Sequence, residues 1–149
     1  METLNVGGTP GDPRSARLSN FSPDSFRLDG IFCASVEGFI QGVKWPEGDA
    51  KRTTAFGSVG GKAKRCGKGA ERKWVWWQGS QISFGSQAHH ALIERAIRAK
   101  FEQNRSALML LVDTRGLTLI HDLGHPVDPQ TSLPGAVFCA ILTRIRDGK

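Results

Sequence analysis

Residues 26–44 have the sequence FRLDGIFCASVEGFIQGVK, and this stretch contains the clearest structural signals in the chain. The Asp29-Gly30 pair lies between two short apolar runs, a pattern typical of a two-residue β-hairpin turn, so we predict a short strand on either side of it. Ser35 follows as a candidate N-cap, and the apolar residues after it recur at helical spacing through about Lys44. The stretch therefore predicts a hairpin followed by an amphipathic helix.

Further helices are predicted on the carboxyl-terminal side of this stretch. Pro46 and Glu47 suit the first turn of a short helix that continues to about Phe56. Ser86 is a candidate N-cap for the longest helix, which keeps an apolar stripe through about Gln103. Proline is favoured in the first turn of a helix, so Pro134 predicts the start of the last helix.

The remaining segments decide the domain organisation. Glycines and prolines in residues 1–17 predict a flexible leader, so one domain is expected to cover residues 18–149. Residues 57–69 are glycine-rich and predicted to be irregular, and the aromatic run at 74–77 is predicted to be extended or irregular. Residues 108–120 contain two apolar stretches whose type the pattern leaves open. These features predict a single compact α+β domain, mainly helical with short strands.

Length and composition limit the class of protein. The chain has 149 residues, 39% hydrophobic and 23% charged, which fits one globular domain and excludes a disordered polyelectrolyte. Its longest apolar run, Ala136 to Leu142, is seven residues, far below the roughly 20 that cross a bilayer, so no membrane partner is expected. The chain begins without a secretory signal and its three cysteines lack CxxC spacing. We therefore expect a cytoplasmic protein without a disulfide framework or a cysteine zinc site.

Positive charge is concentrated in one segment. Residues 62–73 contain six basic residues and one acid, which favours an anionic partner, either a phosphate-bearing small molecule or a nucleic-acid backbone. A solvated loop is the alternative. The run Gly60-Gly61-Lys62-Ala63 is not a P-loop, because it ends in alanine instead of the metal-binding Ser or Thr. Its glycines still allow backbone N–H groups to approach an anion, with charge supplied by Lys62, Lys64 and Arg65.

Glu37 is the candidate catalytic residue that the chemistry of the sequence indicates. It lies in an otherwise apolar helix, where a carboxylate is either paired or at the edge of a cleft and can act as acid, base or cation stabiliser. The alternative is an ordinary exposed glutamate on the helix surface. His121 and His125 are four residues apart, but Gly124 and Pro126 interrupt a helix there, so no metal site is predicted.

Blocks of residues along the chain match the pattern of a known family. They are Leu18-Ser19-Asn20-Phe21, Ser22-Pro23, Phe26, Leu28-Asp29-Gly30, Ser35-Val36-Glu37 with Gln41 and Lys44, Ala63-Lys64, Trp77, Lys100-Phe101 with Asn104, Leu111 with Thr114, and Leu142 to Arg146. This series resembles the NADAR or YbiA-like family over residues 18–147. The resemblance implies a compact, largely helical α+β domain that hydrolyses N-glycosidic bonds in ribose-phosphate or ADP-ribose compounds. Examples are intermediates of riboflavin synthesis and ADP-ribosylated guanine.

The resemblance also implies roles for individual residues. Glu37 matches an acidic residue implicated in catalysis, where a carboxylate can stabilise an oxocarbenium-like sugar or activate water. Cations hold the phosphate in such a reaction, and no metal or cofactor is required. The expected partner is a phosphorylated nucleotide-like small molecule, or an ADP-ribosylated nucleic acid. The expected substrate-binding residues from the family blocks are Asn20, Phe21, Gln41, Lys44, Lys64 and Trp77, and the charge of the glycine-rich segment adds Lys62 and Arg65.

One segment departs from the family pattern. The family usually has a Glu and then D-x-x-W-G-x-G, whereas residues 121–128 here are HDLGHPVD and contain no Trp-Gly-x-Gly. His121 lies where the Glu is expected, and Asp122, His125 or Asp128 can replace the missing acid. We take Glu37, His121 and Asp122 as the candidate catalytic residues of an N-glycosidase. The alternative is a nucleotide or ADP-ribose sensor or sequestering domain that binds its ligand without cleaving it.

Overall fold

The computed structural model describes residues 2–7 and 11–149, which form seven helices and six short strands. The strands are β1 (Thr3–Asn5), β2 (Phe26–Leu28), β3 (Ile31–Cys33), β4 (Trp74–Trp77), β5 (Ser80–Ser83) and β6 (Thr118–Ile120). The helices are α1 (Pro13–Leu18), α2 (Val36–Gly42), α3 (Ala50–Phe56), α4 (Gly60–Arg65), α5 (Gln87–Gln103), α6 (Arg105–Val112) and α7 (Gly135–Asp147). The predicted mainly helical α+β domain is confirmed. None of the described helices is both long and apolar enough to cross a membrane.

The β2–β3 hairpin and α2 have the structure that the sequence predicts. Asp29 and Gly30 adopt left-handed backbone angles, with φ of 50° and 81°, as a type I′ turn requires at both central positions. The Ser35 hydroxyl then caps α2 by accepting a hydrogen bond from the backbone N–H of Gly38 at 3.0 Å. This cap fixes where the helix starts and therefore where Glu37 lies.

Two glycines on α2 allow α3 to pack closely against it. A Cβ at Gly38 would lie 2.4 Å from the carbonyl oxygen of Ala55. A Cβ at Gly42 would lie 2.3 Å from the ring of Phe56. A side chain at either position would collide with α3, so the two glycines let α3 cover this face of α2. The opposite face of α2 is left for other contacts.

The structure corrects two predictions between residues 46 and 69, although the first helix of this stretch does end at Phe56 as predicted. Helix α3 starts at Ala50 instead of near Pro46 because Asp49 caps it, accepting a hydrogen bond from the N–H of Lys51 at 2.8 Å. Residues 60–65, predicted to be irregular, form α4. The four residues after its two glycines are good helix formers, and Ala63 among them is fully buried, which holds the helix in place.

Helix α5 lies in the middle of the core. The Ser86 hydroxyl caps it as predicted, accepting a hydrogen bond from the N–H of His89 at 3.1 Å. Its apolar stripe includes the buried Ile93, Ile97 and Phe101, which belong to one hydrophobic cluster with side chains of α2, α6 and α7. The last helix follows Pro134 directly, also as predicted.

The aromatic run at 74–77 forms strand β4, which confirms the extended alternative. Its partner β5 was not predicted from the sequence. The two strands are joined by Gln78 and Gly79, whose φ angles of 49° and 78° again correspond to a tight hairpin turn.

The predicted flexible leader at residues 1–17 is wrong for the part of it that the structure describes. Strand β1 pairs in parallel with β6, and Leu4 in the strand and Val6 just after it are buried. Proline in the first turn and the Asp12 side chain, which accepts a hydrogen bond from the N–H of Arg14, start α1. Residues 2–7 and 11–17 are therefore part of the domain, while residues 1 and 8–10 lie outside the described residues.

Candidate active site

A cleft of about 680 Å³ opens between α2 and the loop that joins β6 to α7. Its other walls come from Val6 and Gly7, residues 19–21 and residues 64–72. Most of the predicted site residues are brought together here, although they come from distant parts of the sequence. Those that line the cleft are Asn20, Phe21, Glu37, Gln41, Lys44, Lys64 and His121.

Glu37 lies in the first turn of α2 and is buried at the cleft, with 8% of its surface exposed. The alternative of an ordinary exposed glutamate is therefore wrong. One carboxylate oxygen accepts a hydrogen bond from the Gln41 amide nitrogen at 3.4 Å. Burial raises the pKa of Glu37, and this shift is opposed by the Gln41 hydrogen bond and by the charges of Lys44 and Lys64. A raised pKa makes this carboxylate a stronger proton acceptor.

Glu37 and Gln41 project from one face of α2, since they are four residues apart, and Lys44 in the turn after the helix lines the same cleft. Gln41 is 7% exposed, and its side-chain oxygen has no hydrogen-bond partner among the described residues. It lies against Gly67, where a Cβ would be 1.8 Å from this oxygen and 3.3 Å from the Lys44 ammonium. Glycine at position 67 therefore lets the Gln41 and Lys44 side chains lie side by side.

Four Lys and Arg side chains line the cleft, namely Lys44, Lys64, Lys68 and Arg72, and the charges of the first two act on Glu37. Burial lowers the pKa of Lys44, as does the nearby charge of Arg72, whereas Glu37 and Asp128 act in the opposite direction. Arg72 also forms a salt bridge with Asp128 at 2.8 Å, with both side chains partly exposed. The concentration of positive charge beside a buried carboxylate suits a ligand that carries phosphate.

Lys68 and Arg72 are cleft residues that sequence reasoning missed as site residues. Both belong to the basic segment 62–73, so its charge was the available signal. The sequence did not show which of its cations turn toward the cleft, because that depends on where α4 starts and ends.

Lys62 and Arg65, predicted to bind substrate, are exposed on α4 but do not line the cleft. Successive residues of a helix point about 100° apart, so Lys64 can face the cleft only if its neighbours on α4 turn away from it. The three predicted anion-binding residues are therefore not brought together in the cleft, and the role of Lys62 and Arg65 in binding stays a prediction.

Trp77, also predicted to bind substrate, lies in the core. Its ring packs edge-on against Phe39 at 5.2 Å between centroids, and it is 5% exposed. The indole N–H donates a hydrogen bond to the Asp29 carboxylate at 2.7 Å. Its contribution is therefore to tie β4 to the β2–β3 turn, away from the cleft.

His121 lines the cleft beside the start of α7. Its ring packs edge-on against Phe138 at 5.9 Å between centroids, and Nδ1 is buried without a hydrogen-bond partner among the described residues. A Cβ at Gly135 would be 2.9 Å from Nδ1, so glycine at that position makes room for the ring. Burial lowers the pKa of His121, which favours the neutral imidazole at neutral pH.

The other candidate acids near His121 differ in whether they line the cleft. Asp122, predicted to be catalytic, does not line the cleft, and its carboxylate accepts a hydrogen bond from the N–H of Gly124 at 2.8 Å as part of a turn. His125 and Asp128 do line the cleft. Among the described residues we find no group of three or more His, Cys, Asp or Glu side chains placed to hold a metal ion.

Comparisons with known proteins give a family and a fold. The family model described as bacteriophage protein GP30.3 matches residues 13–147. An uncharacterized 17.1 kDa protein from the Gp30-rIII intergenic region of Enterobacteria phage T4 is 30% identical over 138 residues, which cover 89% of this chain and 90% of the relative. Among solved structures, the NMR structure of the E. coli protein YbiA is similar with a TM-score of 0.66 at 19% identity, covering 99% of this chain and 87% of YbiA. The fold is therefore YbiA-like.

Proposed function

This chain belongs to the bacteriophage protein GP30.3 family, and we propose that it hydrolyses the N-glycosidic bond of a ribose-phosphate or ADP-ribose-type compound in the cleft beside α2. The observation that carries the proposal is the placement of the buried Glu37 carboxylate next to Lys44 and Lys64. The YbiA-like fold supports it, as does the resemblance of Ser35-Val36-Glu37 to the NADAR family pattern.

The cations of the cleft hold the phosphate end of the substrate. Lys44 is the most enclosed of them and lies in the turn just after α2, the helix that carries Glu37. A phosphate bound by Lys44, Lys64 and Arg72 leaves the attached ribose next to the carboxylate. Fixing the sugar in this way supplies part of the rate acceleration through orientation.

Glu37 acts at the anomeric carbon of that ribose. As the bond between this carbon and the base nitrogen breaks, positive charge develops on the sugar and is stabilised by the carboxylate. Glu37 accepts a proton from the attacking water, whose oxygen bonds to the anomeric carbon. The raised pKa of Glu37 suits this proton transfer.

The departing base needs a proton at its nitrogen. His121, which lines the cleft as His125 also does, is the donor that we assign, although burial lowers its pKa. Phe21, 39% exposed at the cleft, offers an apolar surface on which the base can stack. The products are the free base and a ribose phosphate, or its ADP-ribose equivalent.

A second candidate function is binding without cleavage. One observation favours it: Asp122 is turned away from the cleft and Asp128 is paired with Arg72, so Glu37 is the buried carboxylate available for catalysis among the described cleft residues. A nucleotide or ADP-ribose sensor or sequestering domain would bind its ligand with the same cations and return it intact.

The deciding experiment incubates the protein with ribosylaminopyrimidine phosphates, NAD, ADP-ribose and ADP-ribosylated guanosine, and separates the products by chromatography. A parallel calorimetric titration measures binding of each compound. Release of free base or of the corresponding sugar phosphate supports the hydrolase. Tight binding without release from any compound supports the sensor and contradicts the hydrolase.

A further inference from the structure

We propose that Lys100 is a positioning residue for the cleft: it fixes the backbone of residues 17–19 and thereby places Asn20 and Phe21 relative to Glu37. Lys100 lies on α5 behind the cleft wall and does not line the cleft. The inference rests on the proposed function for the identity of the ligand, but its structural part can be tested without any ligand.

Lys100 is among the largest fully buried side chains of the described residues, with 1% exposure. Its ammonium group donates hydrogen bonds to the carbonyl oxygens of Arg17 at 2.8 Å and Ser19 at 3.0 Å. These carbonyls lie at the end of α1, whose last residue is Leu18. One side chain of α5 therefore holds the segment in which the chain leaves α1 and enters the cleft wall.

The held segment is connected directly to the candidate catalytic helix. The Ser19 hydroxyl accepts a hydrogen bond from the N–H of Phe21 at 3.1 Å. The next carbonyl, that of Asn20, accepts a hydrogen bond from the N–H of Glu37 at 3.0 Å. Movement of Ser19 would consequently displace the wall that carries Phe21 and remove a partner from the first turn of α2.

Packing alone does not require a lysine at this position. Burial lowers the pKa of Lys100 to about 7, although the nearby Asp24 carboxylate opposes the shift, so the ammonium is enclosed at a free-energy cost. Asp24 is itself paired with Arg17 at 2.9 Å and accepts a hydrogen bond from the Ser22 hydroxyl at 2.6 Å. A methionine of similar length would fill the volume, so what lysine adds is the pair of hydrogen bonds to residues 17 and 19.

The first test needs no ligand and measures amide hydrogen exchange by NMR in the full chain. Lys100→Met should accelerate exchange of the Glu37 amide by roughly ten- to hundredfold relative to that of the buried Leu142 amide, as expected for loss of charged hydrogen bonds. Dividing by the exchange rate of Leu142 in α7 removes the effect that a change in global stability would have on both amides. Lys149→Met, at an exposed position, is the control and should leave the ratio unchanged.

An unchanged Glu37 to Leu142 ratio in Lys100→Met would overturn the proposal, because Lys100 would then contribute to stability only. If that variant does not fold, Lys100→Gln supplies a neutral polar group in its place and removes the charged hydrogen bonds. The same ratio should then rise relative to the unaltered protein, and no rise would again contradict the proposal.

The second test measures ligand binding and distinguishes a failure of the Lys100 proposal from a failure of the proposed function. Lys100→Met should weaken ADP-ribose binding about tenfold in the otherwise unchanged protein, but less than about twofold in a Phe21→Ala background, because both changes affect the same wall. Equal losses in the two backgrounds would contradict action through this wall. If the unaltered protein binds no ADP-ribose, the proposed function fails on that ligand, and the exchange ratio still decides the role of Lys100.

Discussion

The backbone N–H of Glu37 donates a hydrogen bond to the carbonyl oxygen of Asn20 at 3.0 Å. This bond satisfies one of the N–H groups that the first turn of a helix leaves without an intrahelical partner. It also joins two walls of the cleft, since both residues line it. The position of the candidate catalytic carboxylate is therefore set by α2 and by the segment before β2 together.

The cleft cations should control ligand affinity. Replacing Lys44, Lys64 or Arg72 by methionine should weaken ADP-ribose binding by about 1 to 3 kcal/mol each and flatten its dependence on salt. Lys62→Met and Arg65→Met are matched controls, because these exposed side chains of α4 do not line the cleft. Calorimetric titration at several salt concentrations measures both effects. Equal losses in the controls would show that only general surface charge matters.

The close packing of α2 on α3 should make Gly42 intolerant of a side chain. Gly42→Ala places a methyl group 2.3 Å from the Phe56 ring, and we expect a loss of about 1 to 3 kcal/mol in the free energy of unfolding. Gly57→Ala is the control, since its nearest contacts are 3.7 Å or more away. Urea denaturation measures both variants. A similar stability for the two would mean that α3 can shift without cost.

His89 should make the fold sensitive to acid. It is fully buried, and burial lowers its pKa from 6.5 to about 4. Between these values the unfolded chain binds more protons than the folded one, so the contribution to stability is complete above pH 6.5 and is lost as the pH falls toward 4. The loss is about 3 kcal/mol at most.

His89→Asn keeps an acceptor in the place of Nδ1, which accepts a hydrogen bond from the Gly85 N–H at 2.9 Å, but it cannot titrate. Urea denaturation at several pH values between 4 and 7 should give a flatter profile for the variant than for the unaltered protein. The same slope in both proteins would assign the acid sensitivity to other groups.

The candidate proton donor His121 should appear in the pH dependence of hydrolysis. Burial lowers the pKa of His121 below 6.5, so the protonated donor is lost as the pH rises through that lowered value, and turnover should fall there. His121→Asn should remove this limb of the profile and reduce turnover at its acidic end. Steady-state rates from pH 5 upward measure it, and an unaltered profile in the variant would exclude His121 as the donor.

Local side-chain chemistry explains why some elements could be predicted. Asp29-Gly30 and Ser35 act through contacts within a few residues, so the β2–β3 hairpin and the start of α2 follow from the sequence around them. The same is true of Ser86 at the start of α5. Strand β1 could not be found in this way, because its partner for Thr3 is Thr118 at the other end of the chain.

The sequence predicted the kind of site, a carboxylate with nearby cations, better than it predicted which residues line the cleft. Glu37 could be selected because a carboxylate in an apolar helix is either paired or at the edge of a cleft. Its burial could not be predicted, because it depends on contacts with other segments. Trp77 and Lys64 both belong to blocks that resemble the NADAR family, yet one packs in the core and the other lines the cleft. The orientation of each residue is decided by strand register and helix phase, which a motif does not contain.

The most direct test of the proposed function is a single-turnover measurement of base release by Glu37→Gln. The substrate is whichever of the four kinds of compound named under Proposed function the unaltered protein cleaves. Glutamine keeps the shape of the side chain but cannot accept the proton from water, so we predict a rate lower by a factor of about 100 or more, with ligand affinity within about threefold. A thermal melt confirms that the variant remains folded. Base release at an unchanged rate would contradict the assignment of Glu37 as the catalytic carboxylate.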